Sequence, residues 1–496
     1  MAEVDRKRQI LEYCAFSDKN IELQAVDSLC FEDDWKSIID SIDDFFITHE
    51  KVRELLHKRQ SKVSQSAIES VVILPSKKCI AKEESSDYKV LKEYEANEKS
   101  RSSGKVDDFL AYFRNKYDFL SSLFSGRSGF NPKPVDKLKS VGKNESVDLV
   151  GMVFRKWVSK NGNLSFELDS PEGNFIVIVS KDDVKINVEA QKILVDDVIG
   201  VHGKKFSDNV VIAKSFLFPD LPQKPLNFAK RDLSLCLISD IHVGSKLFLR
   251  NEFLEFISWL NAGSGNAGKI KYLFIAGDNV DGVGVYPTQY DELEIKDVFE
   301  QYDVFADFVS MIPEYIEVFI CPGQHDATRR SDPQPPILKE YAKKLYELSN
   351  VHLIGSPSWV EVEGLKTLVY HGGSFHDMYA VSKHLDNKEP HKAMIEMLRR
   401  RDLSTGFGFN QPYVPLKNDL MVIRHEPDFY FGGDLHHKGY ANYRGCTVAN
   451  AGCWQGITSF QIKEGHVPTP CISLEINLKS RKIIEHDFSG VNNERH

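Results

Sequence analysis

The C-terminal half of the chain contains the sequence Leu235-Cys236-Leu237-Ile238-Ser239-Asp240-Ile241-His242, in which a short apolar run leads into a carboxylate and an imidazole. A run of four or five apolar residues is typical of a strand that is buried on both faces. Ligands of open α/β sheets bind at the carboxyl ends of such strands. The pattern therefore predicts a buried strand whose end carries Asp240 and His242 as candidate metal ligands.

Four more apolar runs end in the same way. Tyr272–Ile275 is followed by Gly277-Asp278, Val318–Cys321 by Gly323-Gln324-His325-Asp326, Leu368–Tyr370 by His371-Gly372-Gly373, and Phe429–Phe431 by Gly433-Asp434-Leu435-His436. Taken singly, each motif is more often a helix cap, a surface loop or a histidine without a metal. Together, in order and each after a predicted strand, they predict one site built from five loops and indicate a two-metal centre for phosphoester hydrolysis.

The residue types suit that chemistry. Hydrolysis of a phosphodiester needs an activated water and charge stabilisation on the phosphoryl oxygens, and two cations about 3.5–4 Å apart supply both. Asp278, on its Gly-Asp turn, is the candidate carboxylate that bridges such a pair. Asp240 and His242 can reach the same ion, because they lie two residues apart at one strand end. His371 and His436 add imidazole ligands, which suit manganese, iron or zinc.

The loop after Val318–Cys321 offers the residues for proton transfer. His325 follows Pro322-Gly323 and is the candidate that assists the leaving group or stabilises the transition state. Asp326 is expected to orient the ring of His325, as carboxylates do for the histidines of metal sites. The predicted catalytic residues are therefore His325 and Asp326.

The composition is that of a globular protein of two or three domains, with 496 residues of which 42% are apolar and 27% charged. The first residues lack the features of a secretory signal, and no apolar run approaches the roughly 20 residues that cross a bilayer. A cytoplasmic protein without membrane contact is expected. The net charge of −9 argues against coating of nucleic acid by bulk electrostatics. The eight scattered cysteines predict neither a disulfide framework nor a zinc knuckle.

Changes in composition divide the chain into four parts. These are a helical module over residues 1–75, a disordered linker rich in Lys, Glu and Ser over 76–105, a helix with an OB-fold over 106–222, and the domain with the five motifs over 231–496. The stretch from Phe31 to Gln60 is amphipathic and free of Gly and Pro, which predicts a long helix. Another helix is predicted within Asp107–Ser125, where four large apolar residues fall on one face: Phe109, Phe113, Leu120 and Phe124.

Five short β-rich runs between residues 146 and 218 alternate with turn signals such as Asn161-Gly162 and predict a small barrel, with the OB-fold as the first assignment. OB-folds often bind single strands through aromatic and basic side chains. The segment Phe154–Trp157 could contact nucleic acid in this way, or it could belong to the core of an architectural barrel. The basic residues of segment 383–424 leave a similar choice between a nucleic-acid track and a solvated helix face.

The order of the motifs resembles that of the calcineurin-like phosphoesterases, which read Asp-x-His, Gly-Asp, Gly-Asn-His-Asp, His-Gly and Gly-His-x-His along the chain. Within that family, several stretches look like the small subunits of archaeal family D DNA polymerases. They are Ser239–Ser245, Gly277–Gly284, Pro333–Pro336, Tyr370–Phe375 and Asn450–Gln455. The resemblance covers roughly residues 231–490 and implies a multidomain protein, with an α/β metallophosphoesterase fold (a β-sandwich flanked by helices) preceded by the OB-fold and a small helical N-terminal region.

The resemblance implies a 3′→5′ exonuclease that acts on single-stranded DNA 3′ ends and proofreads for a separate, large polymerising subunit. Carried over by position, the ligands of one divalent ion would be Asp240, His242, Asp278 and His436. The ligands of the second would be Asp278, Gln324, His371 and Asp434, with His325 as a catalytic residue that binds no metal. The related nucleases favour Mn²⁺, and Mg²⁺, Fe²⁺ or Zn²⁺ are the alternatives.

Two positions depart from the pattern of the family. Gln324 stands where Asn is expected, and Asp434 where the first His of Gly-His-x-His is expected. Both keep an oxygen donor, but Gln is one methylene longer and Asp adds a negative charge. A misplacement of about 1 Å can cost roughly 100-fold in rate, so altered or weakened activity is expected.

Two alternatives stand beside the active exonuclease subunit. One is a non-catalytic scaffold that assembles the large subunit, because the eukaryotic B-subunits that resemble this family have lost the site. Decay of that kind normally scatters unrelated residues through the motifs, whereas both departures here preserve a ligand atom. The other is a stand-alone phosphatase for a small phosphomonoester, which accounts poorly for the predicted barrel and the N-terminal module.

Overall fold

The computed structural model describes residues 79–490 and a discontinuous set between residues 6 and 52. That set consists of residues 6–7, 9–11, 13–14, 20–22, 25–26, 29, 35–40, 42, 46–48 and 51–52. The chain divides into two compact units, Met1–Ser76 and Lys77–His496. Over the described ranges, no helix is long and apolar enough to cross a membrane.

The described part of the first unit combines helix and strand. Strand β1 (Asn20–Ile21) pairs in parallel with strand β2 (Phe46–Ile47), and helix α1 (Trp35–Asp40) lies between them in the chain. The prediction that the first 60 residues are helical is therefore wrong at both strands. The backbone amide of Glu22 donates to the carbonyl oxygen of Ile47 at 3.0 Å, and this pairing takes the place of helical hydrogen bonds. The predicted helical character beyond residue 52 lies outside the described residues.

The predicted disordered linker over residues 76–105 is also wrong where the structure describes it. Helix α2 spans Ile80–Glu83, and strand β3 (Tyr88–Val90) pairs antiparallel with Val360–Val362. The ring of Tyr88 packs edge-on against Phe319, with centroids 5.4 Å apart. Few apolar residues suffice for order here, because a distant strand supplies the backbone partners, and composition does not report such a strand.

Helix α3 (Val106–Ser122) confirms the predicted helix, and a closed barrel of five strands follows it. The strands are β4 (Ser146–Val158), β5 (Leu164–Ser170), β6 (Gly173–Val179), β7 (Val198–Ser207) and β8 (Val210–Leu217), with helix α4 (Val184–Gln191) between β6 and β7. Around the barrel their order is β4-β5-β6-β8-β7. Each predicted β-rich run overlaps one of these strands. Leu120 and Phe124, on the predicted apolar face, pack against Val150 and Val198 of the barrel.

Basic side chains in the two segments considered for nucleic-acid contact, Phe154–Trp157 and 383–424, bind other parts of this chain. Lys156 donates from Nζ to the carbonyl oxygens of Ala190, Gln191 and Ile193 at 2.8–3.3 Å, where α4 ends. Arg400 is buried, and its Nε lies 3.1 Å from Asp197 Oδ1 of the barrel. Segment 383–424 is therefore not a continuous basic track, since its central arginine fastens the barrel to the rest of the unit.

Two six-stranded sheets form the remainder of the second unit. The first contains β9 (Ser234–Ile238), β10 (Ile270–Ala276), β11 (Glu317–Cys321), β12 (Val351–Leu353), β18 (Ile472–Asn477) and β19 (Ile483–Asp487). The second contains β3, β13 (Ser358–Val362), β14 (Leu365–Val369), β15 (Phe429–Gly432), β16 (Gly439–Tyr443) and β17 (Cys446–Asn450). The strand order is β12-β11-β10-β9-β18-β19 in the first sheet and β16-β17-β15-β14-β13-β3 in the second. Strands β9 to β12 are parallel to one another, as are β14, β15 and β17.

The sheets face each other, and helices cover their outer faces. On β9, Leu235 and Leu237 point into the core between the sheets, whereas Cys236 and Ile238 pack with the helices of the first sheet. The helices are α5 (Arg250–Ala262) and α6 (Val298–Ser310) on the first sheet, α7 (Phe375–Val381) and α8 (Pro390–Arg400) on the second, and α9 (Ser459–Glu464) near the C-terminus. Burial of both faces explains why the central strands are apolar throughout. The second unit is thus a mixed α/β body with several sheets.

Candidate metal centre

The five predicted loops meet at one edge of the facing sheets. In the first sheet β9, β10 and β11 end at residues 238, 276 and 321, and in the second β14 and β15 end at residues 369 and 432. Three groups of side chains there could hold a metal ion, with the ligand atoms of each group within 4.8 Å of one another. They are Asp240 with His242 and His436, His242 with Asp278 and His325, and Asp240 with Asp278 and His371.

Two Asp-x-His loops, one from each sheet, form one side of the site. The backbone amide of Asp434 donates to both carboxylate oxygens of Asp240 at 3.1 Å, so the loops are held in contact. The Nε2 atoms of His242 and His436 are 3.1 Å apart. His436 Nε2 also lies 3.5 Å from Asp240 Oδ1. Two imidazole nitrogens this close share either a proton or a cation.

Asp278 lies between these loops and the loop that carries His371. Its Oδ2 is 3.3 Å from His371 Nε2 and 3.8 Å from His242 Nε2, and its Oδ1 accepts the backbone amide of His325 at 2.9 Å. Two ligand atoms that are each about 2.1 Å from one ion are roughly 3.0–3.4 Å apart. Asp278 therefore faces histidines of both sheets at separations close to those of ligands that share an ion.

The position before the predicted ligand Gln324 admits only glycine. A Cβ atom on Gly323 would lie 2.1 Å from Asp278 Oδ1 and 2.6 Å from His371 Nε2. Any side chain there would push this backbone away from the carboxylate and the imidazole. The absence of a side chain at residue 323 lets the loop after β11 close against the site.

Among the described residues, sixteen buried side-chain atoms have no hydrogen-bond partner, and three of them belong to predicted metal ligands. They are Gln324 Oε1, His371 Nε2 and Asp434 Oδ2. His371 Nδ1 lies 2.6 Å from the carbonyl oxygen of Ala276, so Nδ1 donates to it and Nε2 is left for a ligand. Buried polar atoms without partners are uncommon in folded proteins. A nitrogen, an amide oxygen and a carboxylate oxygen in this state fit a divalent cation.

Five of the seven predicted ligands have left-handed backbone conformations. Their φ values lie between 49° and 67°, at Asp240, His242, Asp278, Asp434 and His436. Such conformations are uncommon for residues other than glycine, although Asp and His tolerate them better than most. Backbone strain of this kind clusters at functional sites, where the surrounding structure enforces it. The strain lies in the loops that present the carboxylates and imidazoles.

Burial and neighbouring charges shift the pKa values of the site in opposite directions. Burial raises the pKa of Asp240 to about 7, and the Asp278 carboxylate acts in the same direction. Burial opposes a charge on His371, but the Asp278 carboxylate raises the pKa of that ring well above its ordinary value. Burial and the nearby His242 lower the pKa of His436 well below its ordinary value. Binding of a cation by Asp240 and His371 is therefore expected to release protons, since a ligand atom has to be free of its proton, whereas the lowered pKa of His436 leaves its ring neutral.

The expected role of Asp326 as the residue that orients His325 is wrong. Asp326 accepts hydrogen bonds from Tyr302, Asn279 and the backbone amide of Gly323 at 2.8–3.2 Å, so both of its oxygens hold the loops together. The Nδ1 atom of His325 instead lies 2.8 Å from the carbonyl oxygen of Asp281. Adjacent residues of an irregular loop point in different directions. Their order in the sequence therefore does not show which residue will form a hydrogen bond with the ring of His325.

Asp281 is the principal site residue that the sequence patterns left without a role. Its Oδ1 lies 2.9 Å from His242 Nδ1, and its backbone carbonyl accepts from His325, so one residue orients two rings. Its carboxylate also accepts from Gln455 and Gln289, at 3.2 Å each. A second carboxylate three residues after Asp278 is the sequence signal that could have identified it.

The imidazole of His436 also has a hydrogen-bond partner that belongs to none of the sequence motifs. Gln461 Nε2 lies 2.9 Å from His436 Nδ1, on helix α9. Gln461 takes part in the capping box that begins this helix with Thr458. The ring of His436 is therefore tied to the start of a helix that lies outside the five loops.

Asp281→Ala is expected to weaken Mn²⁺ binding by about 10- to 100-fold, the effect usual for a carboxylate that orients a ligating histidine. The ring of His242 would lose the partner that fixes its donor nitrogen. The dissociation constant is measured by titration calorimetry, with Asp303→Ala on the exposed side of α6 as the matched control. Unchanged affinity in Asp281→Ala would refute a role for this carboxylate in positioning His242.

Sequence comparisons place this site within a known group of proteins. The family model for the B-subunits of DNA polymerases alpha and epsilon matches residues 235–442. The chain is 35% identical over 390 residues to the DNA polymerase II small subunit of Methanothermobacter thermautotrophicus, covering 77% of this chain and 80% of the relative. Identity to the DNA polymerase II small subunit of Methanocaldococcus jannaschii is 34%, with coverage of 81% and 68%, and to that of Archaeoglobus fulgidus 37%, with coverage of 75% and 75%.

Proposed function

The chain belongs to the family of archaeal DNA polymerase II small subunits, and from this membership we propose that it carries a two-metal 3′→5′ exonuclease for unpaired DNA 3′ ends. One observation carries the proposal. Side chains from five loops converge at the edge of two sheets, and three of the buried ligand atoms, on Gln324, His371 and Asp434, lack any hydrogen-bond partner. A site retained only for assembly has no need to keep such atoms desolvated and unpaired.

In this proposal the site would take two divalent ions, most suitably Mn²⁺. One ion would be held by Asp240, His242, Asp278 and His436, and the other by Asp278, Gln324, His371 and Asp434. When bound, the pair would supply a water of lowered pKa and positive charge beside the phosphoryl oxygens. The two departures from the family pattern, Gln324 and Asp434, each offer a buried oxygen without a partner, which supports their use as ligands.

His325 acts on the leaving group in this proposal. Its side chain is 20% exposed, whereas the side chains of His242 and His371 are almost fully buried, so His325 can reach a bound strand. Nδ1 donates to the carbonyl oxygen of Asp281, which leaves Nε2 to carry the proton that is transferred. The water oxygen bonds to phosphorus and the water loses a proton to solvent. The bond from phosphorus to the 3′ oxygen breaks, and that oxygen takes a proton from His325, which regains one from solvent. The products are a nucleoside 5′-monophosphate and a strand shorter by one residue.

The architecture suits these assignments. We assign the two facing sheets with their helices, within residues 231–496, to the calcineurin-like phosphoesterase fold. The five-stranded barrel within residues 106–222 is assigned to the OB-fold, and residues 1–75 to a separate module. The closed barrel and the parallel strands that end at the site support the first two assignments.

The partners follow from the family. The relatives are described as small subunits of DNA polymerase II, and the chain is proposed to assemble with a large polymerising subunit in the same way. DNA single-stranded 3′ ends are the proposed substrate. The second candidate function is a scaffold without catalysis, because the site departs from the family pattern at two positions, although both replacements keep an oxygen donor. Metal content separates the two functions, because the enzyme binds two ions and the scaffold none.

The decisive experiment is degradation of a 5′-labelled primer with a mismatched 3′ end by the purified chain in Mn²⁺. Stepwise shortening from the 3′ end is expected, and it should stop on addition of EDTA. A small phosphomonoester should not be hydrolysed at a comparable rate. The reaction is followed on a denaturing gel, with the products identified as 5′-mononucleotides.

Two results would contradict the proposal. Absence of shortening, even after addition of the large subunit, together with no bound metal would leave the scaffold as the function. Hydrolysis of the phosphomonoester without attack on the DNA 3′ end would support a small-substrate phosphatase instead. His371→Ala serves as the inactive control within the same preparation series.

A further inference from the structure

His376 lies beside the site, although no motif includes it. It is the second residue of α7 (Phe375–Val381), which begins just after the His371-Gly372-Gly373 loop. Its Nε2 is 3.5 Å from Asp434 Oδ2, and its side chain is 56% exposed. The ring therefore stands at the mouth of the site, with one nitrogen directed at a predicted ligand.

Asp434 presents its two oxygens to two different imidazoles. Oδ1 is 3.9 Å from His371 Nε2, and Oδ2 is 3.5 Å from His376 Nε2. Oδ2 is also one of the buried atoms without a hydrogen-bond partner. The second separation is close to the roughly 3.0–3.4 Å expected for two ligand atoms on one ion. A cation bound by Asp434 Oδ2 would therefore lie within reach of His376.

The orientation of α7 is fixed by the residue after His376. Asp377 is buried and accepts the backbone amides of Asn410 and Gln411 at 3.2 and 2.8 Å. Successive helical residues point in directions about 100° apart, and His376 accordingly faces Asp434 while Asp377 faces Asn410 and Gln411. The contact is thus set by the packing of the helix as well as by the electrostatic attraction.

We propose that His376 is a further ligand of the ion assigned to Gln324, His371 and Asp434. The family pattern has a histidine at position 434, and here an aspartate stands in that position with a histidine from α7 facing it. The imidazole nitrogen that the motif has lost is supplied from another element. This inference rests on the proposed two-metal site, of which it names an additional residue.

His376 is more exposed to solvent than the ligands His371 and Asp434. The side chains of His371 and Asp434 are 1% and 10% exposed and cannot leave the ion without unpacking, whereas His376 can exchange with solvent. Catalytic metal sites keep one position that water or substrate can take. In this arrangement His376 would be the ligand that a phosphoryl oxygen of the strand could replace.

The test measures Mn²⁺ binding to the full chain by titration calorimetry for three variants. His376→Ala is expected to weaken one of two Mn²⁺ sites by about 10- to 100-fold, at least the loss seen when a residue that supports a metal ligand is removed. His376→Asp provides an oxygen donor at the same place and is expected to bind both ions within a few-fold of the wild type. His384→Ala, at another exposed histidine just after α7, is the matched control and should bind as the wild type does.

Each other outcome overturns the inference. An unchanged isotherm for His376→Ala refutes the ligand role, and if nuclease activity falls at the same time, His376 acts on the substrate instead. Weak binding by His376→Asp as well as His376→Ala would mean that the ring serves as a positive partner of Asp434 and not as a donor. Two ions in the wild type with no effect of His376→Ala leave the proposed nuclease standing, whereas no ions in the wild type overturn both proposals.

Discussion

Asp278→Asn is expected to lower the rate of 3′-end hydrolysis by at least about 1000-fold. A pair of ions held at the proposed site would supply several kcal/mol of charge stabilisation in the transition state, and roughly 4 kcal/mol corresponds to a factor of about 1000 in rate. Asp278 faces His242 and His371 from opposite sheets, at 3.8 and 3.3 Å, so its carboxylate is shared by both halves of the site. The amide of asparagine keeps the size but not the charge that binds two cations.

The measurement combines a single-turnover rate on the mismatched primer with metal content by mass spectrometry. Asp278→Asn should retain fewer than two ions, and Asp303→Asn on the surface of α6 should retain both ions and full activity. A thermal melt close to that of the wild type excludes loss of folding as the cause. Full metal content together with a normal rate would show that Asp278 does not bridge the ions.

His325→Ala is the second change with a large expected effect, a loss of about 10²- to 10⁴-fold in rate with both ions still bound. A positioned general acid contributes a factor of this size. His325 also lies near His242 and Asp278, with possible ligand atoms within 4.8 Å, so metal content decides whether it acts as an acid or as a ligand. The expected outcome is unchanged Mn²⁺ binding measured by calorimetry.

A modified substrate tests the acid role of His325 directly. A primer with sulfur in place of the bridging 3′ oxygen has a leaving group that departs without a proton. His325→Ala should therefore cleave this primer at nearly the wild-type rate, although it remains slow on the normal primer. An equal defect on both primers would contradict proton donation, and loss of an ion would reassign His325 as a ligand.

The central elements of the fold could be predicted from the sequence because their signals are local. Leu235–Ile238 and Tyr272–Ile275 are apolar runs that can only be buried on both faces, and each lies within a strand of the structure. The five β-rich runs before residue 218 likewise correspond to the strands of the barrel. The carboxyl ends of parallel strands share one edge, so the residues after them could be expected to meet.

Other parts of the fold depend on partners that are distant in the chain. Strand β3 exists because Val360–Val362 offers it an edge, and β2 exists because Asn20–Ile21 pairs with it. Both strands are very short, three residues at Tyr88–Val90 and two at Phe46–Ile47, which is too short for a periodic pattern in the sequence. Local propensity predicted a linker for the first and a helix for the second, and long-range backbone pairing overrode both predictions.

The residue types of the candidate site and their order along the chain could therefore be predicted from the sequence, whereas the roles of individual side chains could not. Asp240, Asp278, His371 and His436 are ligand types that follow predicted strands, and strand ends alone bring them together. That Asp281 holds His242, or that His376 faces Asp434, depends on where loops and helices from different parts of the chain pack. Strand periodicity is encoded over a few neighbouring residues, but the direction of a side chain in an irregular loop is set by contacts with distant ones.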